Sequence, residues 1–127
     1  MGFPVSEWPL LAVVDDSESV RESLPDLLQQ VGFAVQAFAS AEAFLGSDAA
    51  DATSCLVLDV ALPGMSGPDL QQELKRRGKA VPVVFITAQS DTSLKRRLLA
   101  AGAVACLFKP FSDPALIEAV EAALEMR

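Results

Sequence analysis

Apolar residues gather into five short runs along this chain, and polar, turn-forming segments separate them. Leu10 to Val14, Cys55 to Leu58 and Pro82 to Thr87 are nearly continuous and partly β-branched. Runs of that kind read as strands buried on both faces. Ala34 to Phe38 and Val104 to Phe108 read as two further short strands. Between them the apolar period changes. Val20, Leu24, Leu27, Leu28 and Val31 recur at helical spacing, and Gly32 closes that helix. Pro25 falls inside it, removes one backbone donor and is expected to kink it.

The remaining helices carry their own start and stop signals. Ser40 caps a short helix through Leu45, and Gly46 to Ser54 reads as a polar loop. Pro63 and Gly64 break regular structure, and Ser66-Gly67-Pro68 opens a helix reaching about Arg77 with Leu70 and Leu74 on one face. Ser90 or Asp91 caps the next helix, which uses Leu94, Leu98 and Ala101 and stops at Gly102. Ser112 caps the last, with Leu116, Ile117, Val120 and Leu124 expected inward. Residues 1–9 carry two prolines and no periodicity, and read as a loose tail with Trp8 over a sheet edge. Residues 10–127 read as one domain.

Strands and helices thus alternate, which predicts an α/β fold with a parallel sheet, helices on both faces and right-handed crossovers. The flavodoxin-like, doubly wound (βα)5 arrangement with strand order 2-1-3-4-5 is the expected solution. Its switch point lies between the first and third strands, where ligands bind beyond the strands' carboxyl ends.

Composition narrows the chemistry. The chain is 51% hydrophobic with mean hydropathy +0.35, in the globular range. The longest mostly apolar run, Ala100 to Phe108, is too short to cross a bilayer, so no membrane partner is expected. No signal peptide is visible, which predicts a cytoplasmic protein. Ten basic against seventeen acidic residues give net −7, a poor balance for gripping nucleic acid with this domain itself. Cys55 and Cys106 fall in predicted strands and read as reduced apolar fillers rather than a disulfide or metal pair. With no His and no Tyr, Ser-His and Cys-His nucleophiles are excluded, and any histidine-borne phosphate must come from another molecule.

In the expected topology the strand ends deliver Asp15 and Asp16, then Asp59, Thr87 and Lys109 to one edge of the sheet. Singly, a strand-end Asp is most often a cap or turn residue, and a strand-end Thr or Lys is merely solvated. Together they describe a site. Close carboxylates repel and raise one another's pKa, and a hard divalent cation such as Mg²⁺ resolves the repulsion with oxygen ligands and water. A phosphoryl group on Asp59 would meet the cation, Lys109 and the Thr87 hydroxyl on separate oxygens.

The motifs VVDD (Val13 to Asp16), LDVALPGMSG (Leu58 to Gly67), ITA (Ile86 to Ala88) and KPF (Lys109 to Phe111) resemble, as a set, the receiver domain of two-component response regulators. The resemblance runs from Leu10 to Leu124, and the segments VRESLPDLLQQVGF and FASAEAFL are similar to the FixJ-type subgroup. It implies a phosphorelay domain in which Asp59 is the phosphoacceptor and a sensor histidine kinase the donor. It implies Mg²⁺ or Mn²⁺ as cofactor. Asp16 would be a direct ligand, Asp15 would act through water, and Asp59 and the Ala61 carbonyl would complete the protein's ligands. Thr87 with Ala88 and Lys109 would contact the phosphoryl group and carry the switch, and Lys109-Pro110 would be cis. It implies a signalling domain rather than an enzyme, one that catalyses its own phosphorylation and dephosphorylation.

FixJ-type receivers are normally followed by a DNA-binding helix-turn-helix domain and regulate transcription. This chain ends just after its last predicted helix, and both a cut-out receiver and a single-domain relay fit. The family also implies a homodimer promoted by phosphorylation, through the last strand and its flanking helices. Lys95, Arg96 and Arg97 would then face Glu118, Glu121 and Glu125, although the same residues also read as two solvated faces. One position departs. Three residues before the lysine the family usually has Tyr or Phe, and here it is Cys106. The conformational change is therefore expected in the Thr87 to Asp91 loop and the helix after it, with little at 106.

Three rival readings have weaker support. Haloacid dehalogenase-type phosphatases resemble Asp-x-Asp after the first strand, whereas Asp15 and Asp16 are adjacent, and there is no room for the usual cap domain. A flavin binder needs a phosphate loop where two acids would repel it. A degenerate receiver that serves only as an interaction module would not keep the full polar set.

Overall fold

The nearly continuous apolar runs occupy the middle of the sheet, because only a strand with neighbours on both sides and helices over both faces can bury every residue. In a computed structural model describing residues 8–125, these are β1 (Leu10–Val14), β3 (Cys55–Asp59) and β4 (Val83–Thr87). The edges are β2 (Ala34–Phe38) and β5 (Ala105–Phe108), which are only partly buried. All pairs are parallel and the order is β2-β1-β3-β4-β5, the doubly wound fold the alternation predicts. β4 and β5 each begin one residue later than their apolar runs suggest.

Side chains alternate across the strands, so the sheet supports two cores. Ala12, Val14, Leu56, Leu58, Phe85 and Cys106 face one layer; Leu11, Val13, Cys55, Val57, Val84 and Ile86 face the other. The second layer is closed by Leu24 and Leu28 of α1 (Glu18–Gln30) and by Leu116, Val120 and Ala123 of α6 (Asp113–Glu125). The first is closed by α2 (Ala41–Leu45), α3 (Ala49–Ala52), α4 (Gly67–Arg76) and α5 (Thr92–Ala100). Both cysteines are free and buried, and burial pushes the Cys55 thiol up to about 12, so it is an inert filler.

The caps follow the sequence signals. Ser40 accepts from the Ala43 amide, Asp91 from Ser93 and Leu94, and Ser112 from Ala115. Ser66 and Asp69 form a reciprocal capping box at α4. α1 runs on across Pro25, which leaves out one bond in the ladder.

Two expectations are corrected. Gly46 to Ser54 is not wholly loop: Ala49 and Ala50 are buried and the single turn α3 forms, closed by Thr53, whose hydroxyl donates to the Ala49 carbonyl at 2.6 Å. Alanine's high helix propensity and this burial outweigh the polar context. Ile117 is not part of the packed core. The buried face of α6 is Leu116, Ala119, Val120 and Ala123, and Ile117, about 100° round the helix from Leu116, is only partly buried.

Trp8 is half-buried beside Gln29, Phe33, Ala34 and Val35 at the β2 edge, where the Ala34 amide donates to the Pro9 carbonyl. The expected tail otherwise lies outside the described residues. Among those residues no helix is long and apolar enough to cross a membrane.

Candidate functional site

β1 delivers the first acid. Its pairing with β2 continues one step past the strand, since the Asp15 amide donates to the Phe38 carbonyl at 3.0 Å. This holds the Asp15 carboxylate fully buried while Asp16 stays exposed. A buried carboxylate demands partners, and Asp15 has them. Oδ1 accepts from the Ser17 amide at 2.8 Å, and Oδ2 from Lys109 Nζ at 2.8 Å. The Arg21 guanidinium donates to the Asp15 carbonyl at 3.0 Å.

Asp59 is the last residue of β3 and only 6% exposed. Lys109 Nζ lies 3.7 Å from its Oδ2, so the lysine sits nearer Asp15 than Asp59. Carboxylate oxygens of Asp15, Asp16 and Asp59 lie within 4.8 Å of one another. The electrostatic result is lopsided. Burial first, and then the Asp15 charge, push Asp59 up to about 6, against the pull of Lys109 and a backbone hydrogen bond at Ala61; Asp16 raises it further. One ammonium does not neutralise three carboxylates. An all-oxygen donor set with surplus negative charge fits a hard divalent cation.

The backbone after β3 leaves no slack. The Val60 amide donates to the Ile86 carbonyl at 3.1 Å, and the Gly67 amide returns to the Val60 carbonyl at 3.0 Å. A Cβ on Gly67 would stand 2.3 Å from the Asp59 carbonyl oxygen, so this position admits no side chain. Ala61, just past the strand, is exposed.

Thr87 ends β4 and is buried, and its hydroxyl oxygen accepts from the Gln89 amide at 3.0 Å. The Lys109 amide donates to the Thr87 carbonyl at 2.7 Å, and the Lys109-Pro110 bond is cis. Ala88 is exposed beside them. Cys106 lies away from this edge, buried in β5 in register with Phe85. Lys95 Nζ sits 5.4 Å from the ring centroid of Phe108, the residue in register with Thr87.

The structure therefore gathers Asp15, Asp16, Asp59 and Lys109 into one cluster, with Thr87 at the adjoining strand end. The sequence reading missed three contributors: the Ser17 amide, Arg21, and Glu42, whose Oε2 accepts from the Met65 amide at 2.9 Å. The first two are local to the acid pair. Glu42 carries no signal at all, because an exposed glutamate on a short helix looks like a solvated one.

Comparison with known proteins agrees with this geometry. The family model for the response regulator receiver domain matches residues 11–121. Nodulation protein W of Bradyrhizobium diazoefficiens is 48% identical over 116 residues, covering 91% of this chain and 51% of that protein. Transcriptional regulatory protein FixJ of Azorhizobium caulinodans is 43% identical over 112 residues, covering 88% and 53%. The chain thus spans about half the length of these curated relatives. Among solved structures, FixJ-N superposes with TM-score 0.84 at 39% identity, covering 94% of this chain and 95% of that one. The BeF3-activated DrrB receiver domain superposes with TM-score 0.82 at 32% identity, covering 93% and 98%. Motifs, strand order, acid cluster and matches all converge, and the chain belongs to the response regulator receiver domains of two-component systems, with FixJ among its relatives.

Proposed function

We propose that this domain accepts a phosphoryl group on Asp59 from the phosphohistidine of a sensor histidine kinase. The phosphorus–nitrogen bond breaks, a phosphorus–oxygen bond forms on an Asp59 carboxylate oxygen, and the imidazole leaves on the kinase. The observation that carries this reading is the buried Asp59 carboxylate among two further acids, with Lys109 poised 2.8 Å from Asp15 and 3.7 Å from Asp59.

Each residue has a task. Asp16, Asp59 and the Ala61 carbonyl would hold Mg²⁺ (or Mn²⁺) directly, and Asp15 through water. When bound, the cation supplies positive charge against the carboxylates and the phosphoryl oxygens. Lys109 exchanges its Asp15 oxygen for a phosphoryl oxygen, keeping a charge-assisted bond throughout. Thr87 accepts from the Gln89 amide and keeps its own proton to donate to the phosphoryl group. Ala88, small and exposed beside Thr87, leaves the approach open. Water attack on phosphorus would return the free Asp59 carboxylate, making the phosphoryl signal self-limiting.

Thr87 moving toward the phosphoryl group would draw the Thr87 to Asp91 loop and the start of α5 with it. Residues 10–127 form the receiver unit in this reading, placed in the cytoplasm with its kinase. The face of α5, β5 and α6 is the surface for a second copy. Among the described residues, Lys95, Arg96, Arg97, Glu118, Glu121 and Glu125 form no ion pair within the chain, which leaves them available across a symmetric contact. An output domain in the whole protein would bind DNA, in keeping with relatives that are transcriptional regulatory proteins.

The test is labelling with acetyl phosphate and Mg²⁺, read by intact mass and phosphate-affinity gel. One acid- and base-labile phosphoryl group is expected, absent in Asp59→Asn and absent with chelator. Undiminished labelling in either case overturns the assignment.

A further inference from the structure

The loop from Val60 to Ser66 carries the Ala61 carbonyl and begins at Asp59, so its shape sets the cation site. Its ends are pinned by bonds already described, to Ile86 and within the Val60–Gly67 closure. Its outer turn is pinned from another part of the chain. Glu42, in the first turn of α2, sends Oε2 to the Met65 amide at 2.9 Å across 23 residues of sequence. α2 is a firm base for this reach, because Ala41 and Phe44 are fully buried and the Phe44 ring meets Phe38 edge-on at 5.5 Å.

The turn is also shaped to receive that carboxylate. Gly64 has φ +73, and a Cβ there would stand 2.7 Å from Glu42 Oε2. The turn therefore leaves open the space that the carboxylate fills. The Met65 bond also holds Glu42 below the usual carboxylate range, so the acceptor is ionised at neutral pH.

We propose that Glu42 is a positioning residue for phosphoryl transfer: its carboxylate clasps the β3–α4 loop at Met65 and so holds the Ala61 backbone in place beside Asp59. This rests on the phosphoacceptor reading of Asp59. Glu42 touches neither the cation nor the phosphoryl group; it acts through the loop, and small misplacements of such groups are costly in rate.

The experiment uses the whole chain with three variants. Glu42→Ala removes the acceptor. Glu42→Gln keeps an oxygen acceptor without charge. Gly64→Asn tolerates positive φ but puts a side chain in the carboxylate's space. Mg²⁺ affinity is measured by calorimetry, Met65 amide exchange by NMR, and labelling rate with acetyl phosphate. Glu42→Ala and Gly64→Asn are expected to weaken Mg²⁺ binding and labelling about tenfold and to expose the Met65 amide to exchange, while Glu42→Gln stays within about threefold of wild type. Wild-type Mg²⁺ affinity and labelling in Glu42→Ala overturn the proposal, as does a loss in Glu42→Gln equal to that in Glu42→Ala. Failure of the wild type itself to label overturns the Asp59 reading instead. Mg²⁺ affinity and Met65 exchange need no phosphodonor, so the two failures are distinguishable.

Discussion

The two ends of the sheet are built on opposite electrostatic plans. At the carboxyl ends of the strands, Asp15 and Asp59 are buried, Asp16 stands beside them, and among the described residues Lys109 alone pairs with their carboxylates. At the amino ends, charges are matched and wet: Lys79 pairs with Asp51, Lys75 donates to the Ala101 carbonyl, and Glu73 takes both Arg76 and Arg77. Exposed pairs of that kind contribute little to stability and little to chemistry. The imbalance at the other end costs stability in the metal-free protein and suits a hard divalent cation. One scaffold thus holds a passive edge and a poised one, and local charge rather than fold separates them.

The strongest way to break this comparison is through the glycines at each end. Gly67→Ala forces a Cβ to 2.3 Å from the Asp59 carbonyl oxygen, a backbone atom that cannot swing aside, and should cost about 3 kcal/mol or more. Gly78→Ala, at the passive end, meets nothing within 4 Å and suffers only its φ of +75, so about 1–2 kcal/mol is expected. Urea denaturation of both variants checks the ranking, and equal losses would show that the poised edge is not more tightly built.

Asp59→Asn sharpens the electrostatic half. The folded pKa of Asp59, about 6, lies above its ordinary value of 3.8, so the ionised group opposes folding. That penalty is full above pH 6 and fades as pH falls from 6 toward 4. In metal-free buffer Asp59→Asn should therefore be more stable than wild type at pH 8, by about 1–3 kcal/mol, with the gain shrinking on acidification. Thermal melts with chelator at pH 8 and pH 5 read it. Added Mg²⁺ should stabilise wild type more than the variant.

Association is a smaller effect. Phosphorylation should raise the dimer fraction in sedimentation, less so at high salt, because basic α5 would meet acidic α6. Cys106→Ala should leave both labelling and this association nearly unchanged, since a small buried side chain sweeps little volume. Normal labelling with lost association would make Cys106 part of the switch. The smallest effect belongs to the passive edge: Asp51→Ala removes the Lys79 pair, and the melting midpoint should not move measurably.

Much of the site was legible because it lies where local signals end. Val14, Leu58 and Ile86 close apolar runs, and Asp15, Asp59 and Thr87 follow at once, so strand ends and site residues are read together. Caps at Ser40, Ser66 and Asp91 are likewise local. α3 and Ile117 misled because burial depended on partners elsewhere. A four-residue alanine turn forms only when a core lies beneath it.

The sequence by itself determined the alternation of elements, the two-faced burial of β1, β3 and β4, and the acids and lysine at their ends. Those follow from period and from the chemistry of single residues. Only the tertiary structure decided which oxygen Lys109 prefers, since Asp15 is 94 residues away from it and Asp59 competes for the same ammonium. It alone decided that Glu42 reaches Met65 and that Gly67 must lack a side chain. Such contacts join segments that no local pattern links, and their geometry exists only once both cores have closed and fixed the distances between them.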